Sequence, residues 1–218
     1  MSSWTRLTAS ALVVWLGWAC ASTAHAQPAA SPTPDLRLVE AAQRRDLATA
    51  SGLVAAAVDI DTPHADGATP LAWAAHWDDA ALAELLLSAG ATVDAANDLG
   101  VTPLMLASAN GSVEMVGRLL DAGADPNRAR PAGETALMLA ARSGDVGVVR
   151  RLVAAGGDVN AATAGGRTPL MWASAERHGA VVTLLACRPS RTRHASPPDR
   201  PPRPDTSARP PRARLTSS

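Results

Sequence analysis

The chain has 218 residues, a formal net charge of zero and 47% hydrophobic residues, with only 3% aromatic and no Tyr or Phe. A core assembled from Ala, Leu and Val lacks large aromatic side chains, which argues against one deep globular core and for a stack of thin units. The neutral charge is an average: residues 35–186 carry 11 Arg against 18 Asp and Glu, residues 187–218 carry 8 Arg against 2 Asp, and Arg6 completes the balance.

Residues 1–26 read as a secretory signal peptide. Arg6 supplies a positive start, residues 7–19 form an apolar run, and Ala24, His25 and Ala26 form an A-x-A cleavage site. The run is shorter than the roughly 20 residues needed to span a bilayer. Attachment of lipid at Cys20 is the weaker alternative, because Gly17 and Trp18 suit such a signal poorly. Cleavage after Ala26 implies an exported protein, periplasmic or secreted. It leaves Cys187 as the only cysteine, so no intrachain disulfide is expected. Residues 27–34, with three prolines, read as an extended spacer.

The body is ordered by one phrase. Thr69, Pro70 and Leu71 open T-P-L-A-W-A-A-H. The phrase returns at Thr102, Thr135 (as T-A-L) and Thr168, each step being 33 residues without insertion. Residues 97–129 show the logic of one unit. Gly100 permits a tight turn, Thr102 caps a helix, and Pro103 fits the first turn, where its missing N–H costs nothing. Asn110 and Gly111 break that helix. A second helix over 113–121 has Val113, Val116, Leu119 and Leu120 at helical spacing, and Gly123 ends it. Further units span 64–96, 130–162 and a truncated 163–186. Counting back from Leu71 finds Leu38, in a divergent unit over 35–63. Its Glu40, Gln43, Arg44 and Arg45 suit a cap facing water.

Helix, turn, helix and β-turn finger on a 33-residue period resemble the ankyrin repeat. The resemblance covers about 35–186 and implies an all-α ankyrin-repeat solenoid. L-M-W-A-S-A and L-A-W-A-A are similar to ankyrin variants of secreted bacterial proteins, in agreement with the signal peptide. The chain departs from the family at the histidine after T-P-L, which is Ala72, Met105, Met138 and Met171 here. The inter-repeat hydrogen bonds of that imidazole are lost, so a weaker, more apolar seam is expected.

After residue 186 the register stops within a unit. Residues 187–218 hold 8 Pro and 8 Arg with one large aliphatic residue, Leu215, and are expected to be disordered. Two accounts of this tail compete: a functional basic segment that touches anionic lipid, acidic protein or nucleic acid, and frameshifted text that replaces a missing cap. The abrupt break inside a unit favours the second.

No metal-binding or catalytic spacing is found. The histidines stand apart, no H-E-x-x-H or C-x-x-C occurs, and Gly165 and Gly166 lie in a repeat turn without a phosphate-loop lysine. Cys187 with His178 or His194 would lack a rigid frame. Asp94, Asp98, Asp121, Asp125 and Asp158 recur about the fingers, where turn chemistry explains them better than calcium binding. A non-catalytic protein with no cofactor and no metal is expected.

Surface remains as the functional feature. In the ankyrin family, partners contact the finger tips and the exposed side of the first helices. The resemblance therefore implies finger candidates Asp66, Asp98, Arg128, Arg130, Glu134 and Arg167, together with Ala68, Leu99 and Val101. It implies first-helix candidates His76, Trp77, Asn110, Arg142, Ser143 and Glu176. Trp77 occupies a place where the family has a polar residue. It serves either as an exposed anchor or as packing against Trp73, and the two readings stand level. Trp73 and Trp172 align with Leu106 and Leu139 and belong to core or seam. The expected partner is an unidentified protein. The repeat body is not expected to bind nucleic acid or to span a membrane, and a monomer is expected.

Overall fold

The structure is a computed structural model and describes residues 35–187. The expected signal peptide and spacer, and the Arg/Pro-rich tail beyond Cys187, lie outside the described residues. Within them are ten helices in five pairs. The first helices of the pairs are α1 (Arg37–Gln43), α3 (Pro70–His76), α5 (Pro103–Asn110), α7 (Ala136–Ser143) and α9 (Pro169–Ala175). The second helices are α2 (Leu47–Ala55), α4 (Ala80–Ser88), α6 (Val113–Asp121), α8 (Val146–Ala154) and α10 (Gly179–Ala186). First helices pack on first helices, second on second, and each pair packs internally. Among the described residues there is no strand, only an isolated antiparallel bridge between Ala129 and Thr135.

Helix starts follow from the repeated phrase. The hydroxyls of Thr69, Thr102 and Thr168 accept the N–H of Ala72, Met105 and Met171 at 3.4, 3.3 and 3.4 Å, and proline follows each threonine. In the T-A-L unit this cap fails: Thr135 Oγ1 is buried without a partner. The second helices have caps of their own that recur with the same period. Asp46, Asp79, Ser112 and Asp145 accept the N–H of Thr49, Leu82, Met115 and Val148. His178 takes the fifth place and makes no side-chain cap bond.

The core is a set of columns. Leu71, Leu104 and Leu137 are buried in first helices, beside Ala74, Ala107, Ala140 and Ala173, whose small side chains let neighbouring first helices approach closely. In second helices the buried columns are Leu82, Met115, Val148 and Val181, then Leu86, Leu119, Leu152 and Leu185. These lie at i and i+4 on one helical face. Leu38, Ala41 and Ala42 continue the first-helix columns into the divergent unit, while Glu40 and Arg44 pair at its surface.

At the other end the columns open. Leu137 is 1% exposed, but its equivalent Leu170 is 36% exposed, and Met171 is 57% exposed. Among the described residues no helix pair covers them.

The seam is apolar in its interior, where Ala72, Met105 and Met138 are buried. At its edges the seam also carries polar bonds that the sequence expectation did not include. Asp61 accepts the N–H of Thr92 at 3.0 Å, Asp94 that of Asp125 at 3.1 Å, and Asn127 that of Asp158 at 2.7 Å. A polar ladder along the second-helix ends thus links successive units without the family's imidazole.

Candidate partner-binding surface

Each finger is closed by two backbone bonds that recur with the unit. In the second of the four, Asn97 N–H donates to Val101 O at 3.1 Å and Gly100 N–H to Asn97 O at 2.8 Å. The same pair forms at 64 and 67, at 130 and 133, and at 163 and 166. Tips also join: Asp98 N–H donates to Asp66 O at 3.2 Å and Ala164 N–H to Ala132 O at 2.9 Å. The fingers are therefore fixed before any ligand arrives.

Among the finger candidates, Asp66, Asp98, Arg128 and Arg167 are exposed, and Leu99 stands exposed at a tip. Arg130 and Glu134 are half-buried and form an ion pair, and Arg130 Nε also donates to Leu99 O at 3.3 Å. Those two side chains brace adjacent fingers and face each other. Ala68 is buried and Val101 half-buried, so both support the fingers from beneath instead of facing a partner.

Asp66 accepts the N–H of Ala68 at 3.1 Å and lies 3.3 Å from His64 Nδ1. The Ala68 N–H, then the Asp66 N–H and the imidazole, hold its carboxyl below the ordinary 3.8. A depressed folded value means that the ionised form stabilises the finger above the unfolded value, and that this support is lost as pH falls through the lowered one. A carboxyl-detected NMR titration is expected to place the Asp66 midpoint below 3.8, with the Ala68 amide resonance moving in the same range. A midpoint at or above 3.8 would show the finger bond to be absent.

On the first helices, Trp77, Asn110, Ser143 and Glu176 share one column of the repeat. Asn110 Nδ2 donates to the carbonyls of His76 at 2.7 Å and Ala75 at 3.3 Å, so it covers the C-terminal end of α3. Ser143 Oγ lies 3.3 Å from Ser108 O and 3.1 Å from Ala140 O, in the same relation to α5. Trp77 and Glu176 make no such bond, and Arg44 of the divergent unit precedes Trp77 in the column. Trp77 stacks on Trp73, with centroids 6.5 Å apart and planes at 25°, yet remains 42% exposed. Packing and exposure thus coexist. His76, also exposed, meets both indoles edge-on at 5.7 and 4.7 Å.

Arg142, exposed at the end of α7, places its guanidinium 5.4 Å from the ring centroid of Trp172, and Arg167 places its own at 5.8 Å. The carbonyl of Arg142 lies 3.0 Å from His178 Nε2. A carbonyl only accepts, so that nitrogen carries the proton. Trp73 and Trp172 are half-buried, and each has its Nε1 buried without a partner. Exposed Cys187 ends a groove between α8 and α10 lined by Val146, Arg150 and Leu184, and no hydrogen bond among the described residues joins it to His178.

Two of the recurring aspartates are engaged in turn chemistry. Asp125 accepts from Asn127 N–H and Asp158 from Asn160 N–H, both at 2.9 Å. Among the described residues no group of three His, Cys, Asp or Glu side chains is placed to hold a metal, and no helix is long and apolar enough to cross a membrane.

A family model for ankyrin repeats (3 copies) matches residues 38–130 and, again, residues 127–194. The chain belongs to the ankyrin-repeat family. No curated protein matches it. Ankyrin repeats are generally protein–protein interaction modules, and the family is typically non-catalytic. Among the features of this ankyrin stack that escaped the sequence reading are two: the inter-unit ladder of Asp61, Asp94 and Asn127, and the convergence of Arg142 and Arg167 on Trp172. The first left a trace as Asp or Asn at one position of each of the first four units. The second left none, because its three residues lie on different columns.

Proposed function

We propose that this chain is an exported, non-catalytic ankyrin-repeat protein that binds a protein partner through its finger tips and the exposed side of its first helices. The observation that carries this reading is the column of Trp77. Asn110 and Ser143 in that column serve the stack by binding the preceding unit, whereas Trp77 leaves a large amphipathic ring partly in solvent beside His76. An indole on a rigid surface supplies contact area with little loss of side-chain entropy on binding. Export is supported by the positive start, apolar run and A-x-A site of residues 1–26. Mass measurement of the mature protein is expected to show Gln27 at its N-terminus.

The test is recovery of a partner from periplasmic extract. Trp77→Ala and Arg142→Ala are each expected to reduce recovery by about tenfold or more, the scale of an interface anchor worth 1.4 kcal/mol. Deletion of 187–218 is expected to spare it. Equal recovery by wild type and both variants would remove the surface assignment. Loss on tail deletion alone would favour an anionic-surface binder acting through the basic segment.

A further inference from the structure

The elements at the C-terminal end of the stack bring two guanidiniums onto one indole. Arg142 reaches the Trp172 ring from the end of α7, and Arg167 reaches it from the finger that precedes α9. Both backbones are anchored. Arg142 O is bound by His178 Nε2 at 3.0 Å. Arg167 N–H donates to Thr163 Oγ1 at 3.1 Å, and Arg167 O accepts from Thr163 N–H at 3.0 Å. Cation–π attraction to the indole face favours each guanidinium at this distance.

Two like charges on one ring repel each other, and the fold supplies no acid to offset them. Some other guanidiniums have such acids: Arg118 meets Glu84 at 2.7 Å and Glu114 at 3.0 Å, and Arg130 pairs with Glu134, whereas among the described residues Arg128, Arg150, Arg151 and Arg177 stand singly and share no ring. Among the described residues neither Arg142 nor Arg167 forms an ion pair. Asp145, three residues after Arg142, has its carboxylate on the Val148 N–H at 2.8 Å. Glu176, one turn beyond Trp172, pairs with no base. The Trp172 N–H also lacks an acceptor. That nitrogen is buried, so the cluster presents two guanidiniums on one ring and no acid bound to either.

Charge along the stack points the same way. Residues 35–129 carry 5 Arg against 14 Asp and Glu, while residues 130–186 carry 6 Arg against 4. The first three units repel an anion and the last two attract one. A polyanion running along the whole stack would meet the acidic units, whereas a short acidic segment could lie on the last two alone.

Resting on the partner-binding reading above, we propose that Arg142, Trp172 and Arg167 form a carboxylate-binding site and that the partner presents an acidic peptide segment to it. Each guanidinium offers paired N–H donors that match a carboxylate. The carboxylate offsets the repulsion between the two cations and leaves both beside the indole.

The test uses the mature full-length chain and follows the Arg Nε–H and Trp indole N–H resonances by NMR. Hexaglutamate, hexaglutamine and inorganic phosphate are titrated separately. Hexaglutamate is expected to shift Arg142, Arg167 and Trp172 saturably, while hexaglutamine and phosphate leave them unmoved. R142Q and R167Q are each expected to weaken hexaglutamate binding about tenfold, and the double variant to abolish it with unchanged circular dichroism. R150Q, on the second-helix side, should bind like wild type. Equal shifts from hexaglutamine or phosphate, shifts spread over Arg150 and Arg151, or indifference to R142Q and R167Q would each overturn the site. If hexaglutamate leaves the three resonances unmoved while Trp77→Ala still weakens partner recovery, the carboxylate site falls and the partner-binding surface stands. If Trp77→Ala changes nothing, the importance of that anchor falls, and the titration still decides the carboxylate site.

Discussion

Leu137→Ala is expected to destabilise the stack by about 2–5 kcal/mol, and Leu170→Ala by about 1 kcal/mol or less. The two leucines hold the same place in the repeated phrase, so helix propensity and chain entropy change alike in both. They differ in cover. Leu137 is sealed in the core cluster, because α9 packs on α7. Leu170 has no following unit among the described residues and keeps contact with water. Removing Leu137 costs the transfer of three carbons and leaves a cavity between rigid helices, which cannot close without moving both neighbours. At Leu170 solvent fills the space. Urea titration of the two variants against wild type reads the difference directly as a shift in midpoint at constant slope. Equal losses would mean that the face of α9 is covered as fully as that of α7.

Gly133→Ala should cost markedly more than Gly166→Ala, although both glycines end the same finger turn with positive φ, +86° and +74°. A side chain in that region costs about 1–2 kcal/mol by backbone strain, and this is the whole expectation for Gly166, around which a Cβ meets nothing within 4 Å. At Gly133 the added Cβ would lie 2.9 Å from Thr163 Cα and 3.2 Å from Ala162 O and Ala164 N. All three are backbone atoms of the next finger and cannot rotate away, so overpacking adds about 1–3 kcal/mol. The same displacement breaks the bond from Ala164 N–H to Ala132 O, which sets the tip-to-tip register that a partner would read. Urea titration of both variants measures the gap, and loss of protection at the Ala164 amide in hydrogen exchange reports the broken register. Similar costs at the two sites would place the gap between fingers wider than the structure has it.

Much of this was legible because the unit repeats. A single cap, Thr102, is weak evidence. The same threonine every 33 residues locates every first helix and, by counting backward, the polar unit at Leu38. The span 113–121 follows from one apolar stripe and agrees with α6. What escaped were interactions whose spacing is not the period. The ladder bonds join residues 31 apart, so Asp94 reads in sequence as a turn residue alone. The Arg130 and Glu134 pair looks like two finger charges, and only the closed hairpin, with Arg130 N–H on Glu134 O at 2.9 Å, shows that they face each other. From residue 77 onward its column carries Trp, Asn, Ser and Glu in turn, and nothing in that series announces that the middle two bind carbonyls of the preceding helix.

On the proposed function, this stack meets its partner on the finger and first-helix side. A benzophenone side chain placed at position 77, at 142 or at 150, and irradiated in the producing cells, tests it most directly. Positions 77 and 142 are predicted to yield the same discrete protein adduct, and position 150, on the opposite helix layer, none. An adduct from position 150 with nothing from 77 and 142 would contradict the account.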